Sequence, residues 1–509
     1  MAKFWKFNGG LQLSTKKDLS RMTPLVKAVI PEQLIYPLQQ RPGIIAKSLV
    51  KPGDQVLRGQ LIASPASLLG APIHAASSGT VSAIENHLIA HPSGLTDQCI
   101  VIATDGKDEA LEFHGEPDYL KLTPDVIRNR IQQAGIVGLG GAAFPTAVKL
   151  NPGLQRNIDT LIINGAECEP YITCDDRLMQ DRSEHVISGI LILLHVLQIK
   201  NCIIAVENDM PEAQHALQQE LDKIVPINQQ SHFKKIEIRM VPALYPIGGE
   251  KQLIRVITGK EIASDGIPAD VGVICQNVGT VAAVYNAIIK GLPIIERVVT
   301  ITGNGVRNQQ NMLVRIGTPI KDLISQCGGY NDQVERLIMG GPMMGFALPN
   351  DDIPIVKASN CILAADRSEI SNKKSAMPCI RCGDCASVCP VTLLPQQLYW
   401  HSRADNLSKV KEYRLFDCIE CGCCEIVCPS HIPLVQYYRA SKNKIILKNQ
   451  EAEQAALAKH RYDQQVLRKQ RQQTERAETI RKQKEALAKK KTAIAKAAAD
   501  TATFKLEQN

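Results

Sequence analysis

CIRCGDCASVCP, residues 379–390, places four cysteines within eleven positions and ends on Cys-Pro, and CIECGCCEIVCP, residues 418–429, repeats the device. Cys379, Cys382, Cys385 and Cys389 follow the spacing C-x2-C-x2-C-x3-C-P, and Cys418, Cys421, Cys424 and Cys428 follow it again. Such a run wraps three thiolates around one face of an iron-sulfur cube, while a turn and a proline carry the fourth to the other cube. The expectation is two [4Fe-4S] clusters, one held by Cys379, Cys382, Cys385 and Cys428, the other by Cys418, Cys421, Cys424 and Cys389. Structural zinc also uses four thiolates but usually draws them as two separated C-x2-C pairs. Cys423 is surplus to both sets and reads as an ordinary buried thiol.

Around the cysteines, LLPQQLYWHSRA and IPLVQYYRASK have helical character, which predicts a helix-rich, ferredoxin-like two-cluster domain over 370–440. Nine of the sixteen cysteines fall between 379 and 428. In a reducing compartment clustered thiols hold metal rather than disulfides. Two cross-tied clusters pass single electrons, so something must load the relay and something must drain it.

A chain of 509 residues is too long for one core and predicts at least three domains, of about 100 to 200 residues each. The net charge of +8 could point to nucleic acid, but residues 442–509 hold 17 Lys/Arg against 8 Asp/Glu, leaving the body at 42 against 43. The basicity belongs to an Ala/Lys/Gln-rich tail over 441–509, expected to be helical or disordered, with no specific nucleic-acid binding. Ile480, Leu487 and Ile494 recur at sevens, yet Ala477, Lys484 and Lys491 occupy the companion positions, so no coiled-coil seam forms. The longest apolar run, VISGILILLHVLQI at 186–199, falls short of the ~20 residues that cross a bilayer and reads as a buried helix. MAKFWKFNGG lacks the apolar core of a signal peptide, which predicts a cytoplasmic location.

After an N-terminal arm over 1–30, residues 31–112 alternate short β-branched runs with Pro-Gly-Asp and Ser-Gly turns, the punctuation of a small all-β unit. KPGDQVLRGQLIA followed by HAASSGTVSAI resembles the barrel-sandwich hybrid fold of lipoyl and biotinyl carrier domains. No lysine lies between Gln60 and Ile84, so the carrier chemistry is missing and a structural or docking role is expected. From 120 to 290, TLIING, CIIAVEN and IEIRMVP alternate with helix-length segments, implying an α/β sheet. Residues 295–365 return to short strands, RVVTITG and RLIMGG, around the helical TPIKDLISQCGG, giving an α+β unit of β-grasp character.

Within the α/β region, GIVGLGGAAFPTAVKL at 135–150 is a glycine-rich loop in which bare backbone N–H groups can approach a phosphate. INGAECEPYITCDDRLM at 163–179 sets Glu167, Glu169, Asp175 and Asp176 directly after a predicted strand, and such strand ends are where sites form. YPIGGEKQLI at 245–254 and CQNVGTVAAV at 275–284 place small and polar residues at further strand ends.

These four loops together resemble the FMN and NADH site of the flavoprotein subunit of respiratory complex I. The domain order from residue 1 to about 440 resembles that of the C subunits of the ion-translocating Rnf electron-transport complexes; the tail lies outside it. The resemblance implies that Gly138, Gly140, Gly141 and Lys149 line the dinucleotide and flavin phosphates, that Asn164, Glu167 and Glu169 face the flavin or nicotinamide ring, and that Tyr245, Glu250, Asn277 and Thr280 complete the pocket. Phe144 is the one ring in the glycine loop that could stack on a nicotinamide, in a loop poorer in arginine and aromatics than its complex I counterpart.

The implied function is a translocase subunit that accepts electrons from NADH through FMN, or runs in reverse, and relays them singly through the two clusters. It would sit peripherally on the cytoplasmic face of the bacterial inner membrane, with integral-membrane and flavin- or iron-sulfur-containing subunits as partners. No side chain need be a proton-transfer catalyst, because the cofactors carry the chemistry. A second reading, of a different class, is a non-enzymatic adaptor that has lost flavin and NADH binding and only relays electrons between docked proteins.

Overall fold

The computed structural model describes residues 4–40, 44–151, 156–224, 235–370 and 375–506, with side chains up to residue 499. It divides into two compact units, one of residues 1–400 with 411–435, the other of residues 401–410 with 436–509.

In the first unit, Thr160–Gly165, Asn201–Glu207, Lys235–Val241 and Val273–Asn277 form an all-parallel sheet. Along the chain the sheet grows outward from Thr160–Gly165 to Lys235–Val241, then crosses back to place Val273–Asn277 on the other side of the first strand. The order therefore reverses beside Thr160–Gly165, and ligands of open α/β sheets sit at the carboxyl ends of strands at such a reversal. The near-continuous apolar runs of these strands follow from burial on both faces. Leu161 and Ile163 enter one core with the helix Ser183–Leu197, whereas Ile162 enters another with Leu253 and Val256 of the helix Glu250–Thr258. Ser183–Leu197 contains most of the apolar run expected to be a buried helix, and Val186, Ile187, Ile190, Leu193 and Leu194 are buried.

The N-terminal β unit closes two small sheets on one core. Gln33–Pro37, Thr96–Thr104, Gly79–Leu88 and Gln55–Val56 form the first sheet, and Ala46–Ser48, Leu61–Pro65 and Ile73–His74 the second. Leu34, Tyr36, Ile62, Ile73, Val81, Ile100 and Ile102 fill the space between them, joined by Val137, Leu139 and Ala143 of the glycine-rich loop. The barrel sandwich is thus a buttress: its core continues into the loop that borders the crevice.

The third sheet is mixed, with Glu296–Thr302 parallel to Cys361–Asp366 at its centre, antiparallel partners Gln310–Arg315 and Val334–Met339 outside them, and the helix Ile320–Gln326 packed on its core. Strands and helix together make an α+β unit, with one addition: Val26–Lys27 of the arm extends the sheet by pairing with Met312 and Leu313.

The cysteine runs fold as two similar pieces, each with a one-turn helix inside it, Asp384–Ser387 and Cys423–Ile426. Each turn is entered through a left-handed glycine, Gly383 or Gly422. In the second unit the tail is helical as far as Leu506, in a helix that starts at Leu434, and Lys444 pairs with Asp405 at 2.7 Å. No helix among the described residues is long and apolar enough to cross a membrane.

Candidate functional site

All four loops singled out in the sequence meet where the strand order reverses. Asn164 and Asn277 end adjacent strands in register. The glycine loop lies over them, and a Cβ placed on Gly140 would stand 3.6 Å from the Asn277 side chain. The loop is closed at its base by Gly138 N–H donating to Phe144 O at 2.8 Å and Ala143 N–H donating to Gly138 O at 3.1 Å. Its tip, Gly140 to Ala142, is exposed, and the tip N–H groups have no protein acceptor among the described residues. Gly141 has φ +109° with open space around it, a conformation that favours glycine. Phe144 is half-buried at the loop's return.

Residues behind the loop hold it in place. Leu139 N–H donates to Thr280 Oγ1 at 2.9 Å, and Arg297 Nη2 donates to Leu139 O at 3.1 Å. Lys357 Nζ donates to Gly135 O at 2.8 Å and to Pro72 O at 2.6 Å, tying the loop to the barrel sandwich; burial pushes its pKa down to about 7. Thr280 is wholly buried, so it supports the loop from beneath rather than facing a ligand. Arg297 and Lys357 escaped the sequence reading because an arginine in RVVTITG and a lone lysine carry no motif; only the fold places them behind the loop.

Lys149 and Glu250 pair across the crevice, Nζ to Oε1 at 2.5 Å, and both remain partly exposed. Asn277 caps the helix Val278–Ile289 through Gly279 N–H and donates to Asp175 Oδ2 at 2.6 Å. Asn164 Nδ2 donates to Gly248 O at 2.9 Å, fastening the strand end to the YPIGGEK loop.

Glu167 and Glu169 correct the expectation that they face a ring. Glu167 accepts from Asp175 N–H at 3.0 Å, Asp176 N–H at 3.2 Å and Cys174 Sγ at 3.2 Å, which makes it the cap of the helix Cys174–Asp181. Burial, reinforced by the neighbouring Asp175 carboxylate, raises its pKa. Glu169 accepts from Met343 N–H at 2.7 Å and Met344 N–H at 3.0 Å, and burial pushes its carboxyl up to about 7. A carboxylate removed from water takes the nearest backbone donors, and both carboxylates are engaged in that way.

Tyr245 also turns elsewhere. It is buried, and its hydroxyl donates to Cys421 O at 2.7 Å. The YPIGGEK loop therefore touches both the crevice, through Gly248 and Glu250, and the cysteine module, through Tyr245.

In that module one cavity is lined by Cys379, Cys382 and Cys385 of the first run together with Cys428 of the second, and also by Gln396, Tyr399 and Ile432. Cys389 does not line it; its electrostatic neighbour is Cys421. Burial first, then the thiols of Cys418, Cys421 and Cys389 and, last, Cys385 of the first run, raise the pKa of Cys424. Soft thiolate donors arranged in two such sets fit iron-sulfur clusters. Cys382 is exposed, whereas Cys389, Cys421, Cys423 and Cys424 are buried.

Family models match this chain as the RnfC barrel sandwich hybrid domain over residues 5–107, the Nuo51 FMN-binding domain over 131–286, an SLBB domain over 298–347 and a 4Fe-4S dicluster domain over 378–432. Similar curated proteins are described as the C subunits of ion-translocating oxidoreductase complexes. That of Vibrio cholerae is 47% identical over 93% of this chain and 60% of its own length, that of Pseudomonas aeruginosa 46% over 94% and 60%, and that of Pectobacterium atrosepticum 47% over 93% and 67%. The chain thus spans about 60% of the length of the first of these relatives. Among solved structures, an NAD+-reducing [NiFe]-hydrogenase in the H2-reduced state aligns with a TM-score of 0.47 at 18% identity, covering 63% of this chain and 62% of that one.

Proposed function

Because the chain belongs to the family of ion-translocating oxidoreductase complex C subunits, we propose that it is the electron-entry subunit of such a complex, binding FMN and a nicotinamide dinucleotide in the crevice and two [4Fe-4S] clusters in the cysteine module. The observation that carries this reading is the Tyr245 hydroxyl on Cys421 O, which joins crevice and module through one short loop.

The N–H groups of Gly140, Gly141 and Ala142 would hold phosphate oxygens, and Lys149 would add charge on leaving Glu250. The N-termini of the helices that start at Glu250 and Val278 add partial positive charge on the same side. Cys379, Cys382, Cys385 and Cys428 would hold one cluster, and Cys418, Cys421, Cys424 and Cys389 the other. When bound, the flavin supplies the exchange between two-electron and one-electron chemistry and the clusters supply single-electron transfer. Cys421 O of the second run accepts the Tyr245 hydroxyl, while Cys382 and Ile380 are exposed, so electrons would pass from the crevice to the second set and leave through the first, where partner subunits would be met. Integral-membrane subunits would then supply the ion path, with this chain peripheral on the cytoplasmic face.

Anaerobic purification followed by assay of iron, sulfide and acid-released flavin tests the reading. About eight irons per chain, one FMN and bleaching on addition of NADH are expected. Iron without flavin or bleaching would instead support the relay adaptor.

A further inference from the structure

The arm residues FNGG, 7–10, are used neither by the crevice nor by the cysteine spacing, yet they lie between the two. Gly9 and Gly10 have φ of +61° and +82°, backbone that favours glycine. A Cβ on Gly9 would stand 2.3 Å from Val388 C and O and 2.8 Å from Cys389 N, and a Cβ on Gly10 would stand 2.8 Å from Tyr245 O. Gly10 N–H donates to Val388 O at 3.0 Å. Leu11 and Tyr245 then exchange both backbone hydrogen bonds, at 2.8 and 3.0 Å, and the Tyr245 hydroxyl continues to Cys421 O.

The arm cannot slide. Phe7 is buried in the core with Ile162 and Leu253, and Lys17 is buried in an ion pair with Glu207 at 3.0 Å, both side chains 1% exposed. Leu11, Leu13, Met343, Val388 and Ile419 pack around Tyr245, Cys421 and Cys423, which keeps water from this side of the second set while Cys382 of the first set stays exposed.

We propose that Gly9, Gly10 and Tyr245 form a positioning joint for the second-set cluster, fixing the backbone at Cys389 and Cys421 and setting the polarity around them. Those two cysteines come from different runs, so the cross-tied set needs an outside clamp, and the arm and Tyr245 grip one half each. Groups that orient metal ligands, the hydrogen bonds near the sulfurs and solvent exposure all tune a cluster. This inference rests on the two-cluster reading above.

The test uses the full chain with clusters loaded. Cys382→Ser first identifies the electron paramagnetic resonance signature of the second set, by removing the first. Gly9→Ala and Tyr245→Phe are then compared with Gly53→Ala and Gly106→Ala, which impose the same left-handed strain where nothing lies within 4 Å. The joint variants are expected to change the spectrum and midpoint potential of the second set alone and to slow its reduction about tenfold; the controls should change neither. Joint variants that leave both signatures as in the parent, or alter both alike, overturn the proposal. The parent's iron and flavin content reports separately on the function, and Tyr245→Phe decides alone if Gly9→Ala does not fold.

Discussion

The cysteine module and the crevice gather their groups in opposite ways. In the module, the cysteines lie within two runs of twelve residues, each with a one-turn helix inside it. In the crevice, the glycine-rich loop is held at Leu139 and Gly135 by Thr280, Arg297 and Lys357, all far along the chain. A local site can be written as spacing, whereas a site built at a strand reversal depends on residues whose type announces nothing.

The largest effect should come from breaking the locality of the module itself. Cys428→Ser changes the second run, yet Cys428 shares its cavity with Cys379, Cys382 and Cys385. Loss of about four irons is expected, leaving the spectrum seen in the Cys382→Ser chain. A residual spectrum that instead matches the one left by Cys421→Ser would show that each run holds its own cluster.

A smaller effect should separate crevice from module. Thr280→Val leaves the buried Leu139 N–H without its acceptor, a cost of about 1 to 3 kcal/mol. Flavin affinity is expected to fall about tenfold, since 1.4 kcal/mol is a factor of ten, with iron content unchanged. Unchanged flavin binding on titration would mean that the glycine tip needs no support from beneath.

The smallest effect is a pH dependence in the buttress. Burial, helped by the charge of Lys357, lowers the pKa of His74 to about 3, against about 6.5 in an unfolded chain. Between these values the unfolded chain binds a proton that the folded chain does not. Stability is therefore lost as pH falls from about 6.5, by up to about 1.4 kcal/mol per pH unit. His74→Gln should flatten the melting temperature between pH 6.5 and 5; an unaltered slope would mean His74 is not the group responsible.

Much of the fold was legible where one element answers to one pattern. TLIING, CIIAVEN and IEIRMVP each became a strand of the parallel sheet, and the run at 186–199 fell in a buried helix. The roles of Glu167, Glu169, Thr280 and Tyr245 were not legible, because the neighbours of the last three come from other loops and those of Glu167 from a helix that must first fold back on it. Glu167 follows a strand, and a strand-end acid reads as ligand-facing until the helix Cys174–Asp181 folds back to present its N–H groups.

By itself the sequence determined the cysteine spacing, the glycine tip and the succession of barrel sandwich, α/β sheet and a further α+β unit, all of which are contiguous patterns of residue type. Only the tertiary structure decided which carboxylates face inward, that the barrel sandwich buttresses the glycine loop, and that Gly9, Gly10 and Tyr245 lie between crevice and cysteines. Those outcomes depend on which donors and surfaces meet across distant segments, and no spacing along a chain encodes such a meeting.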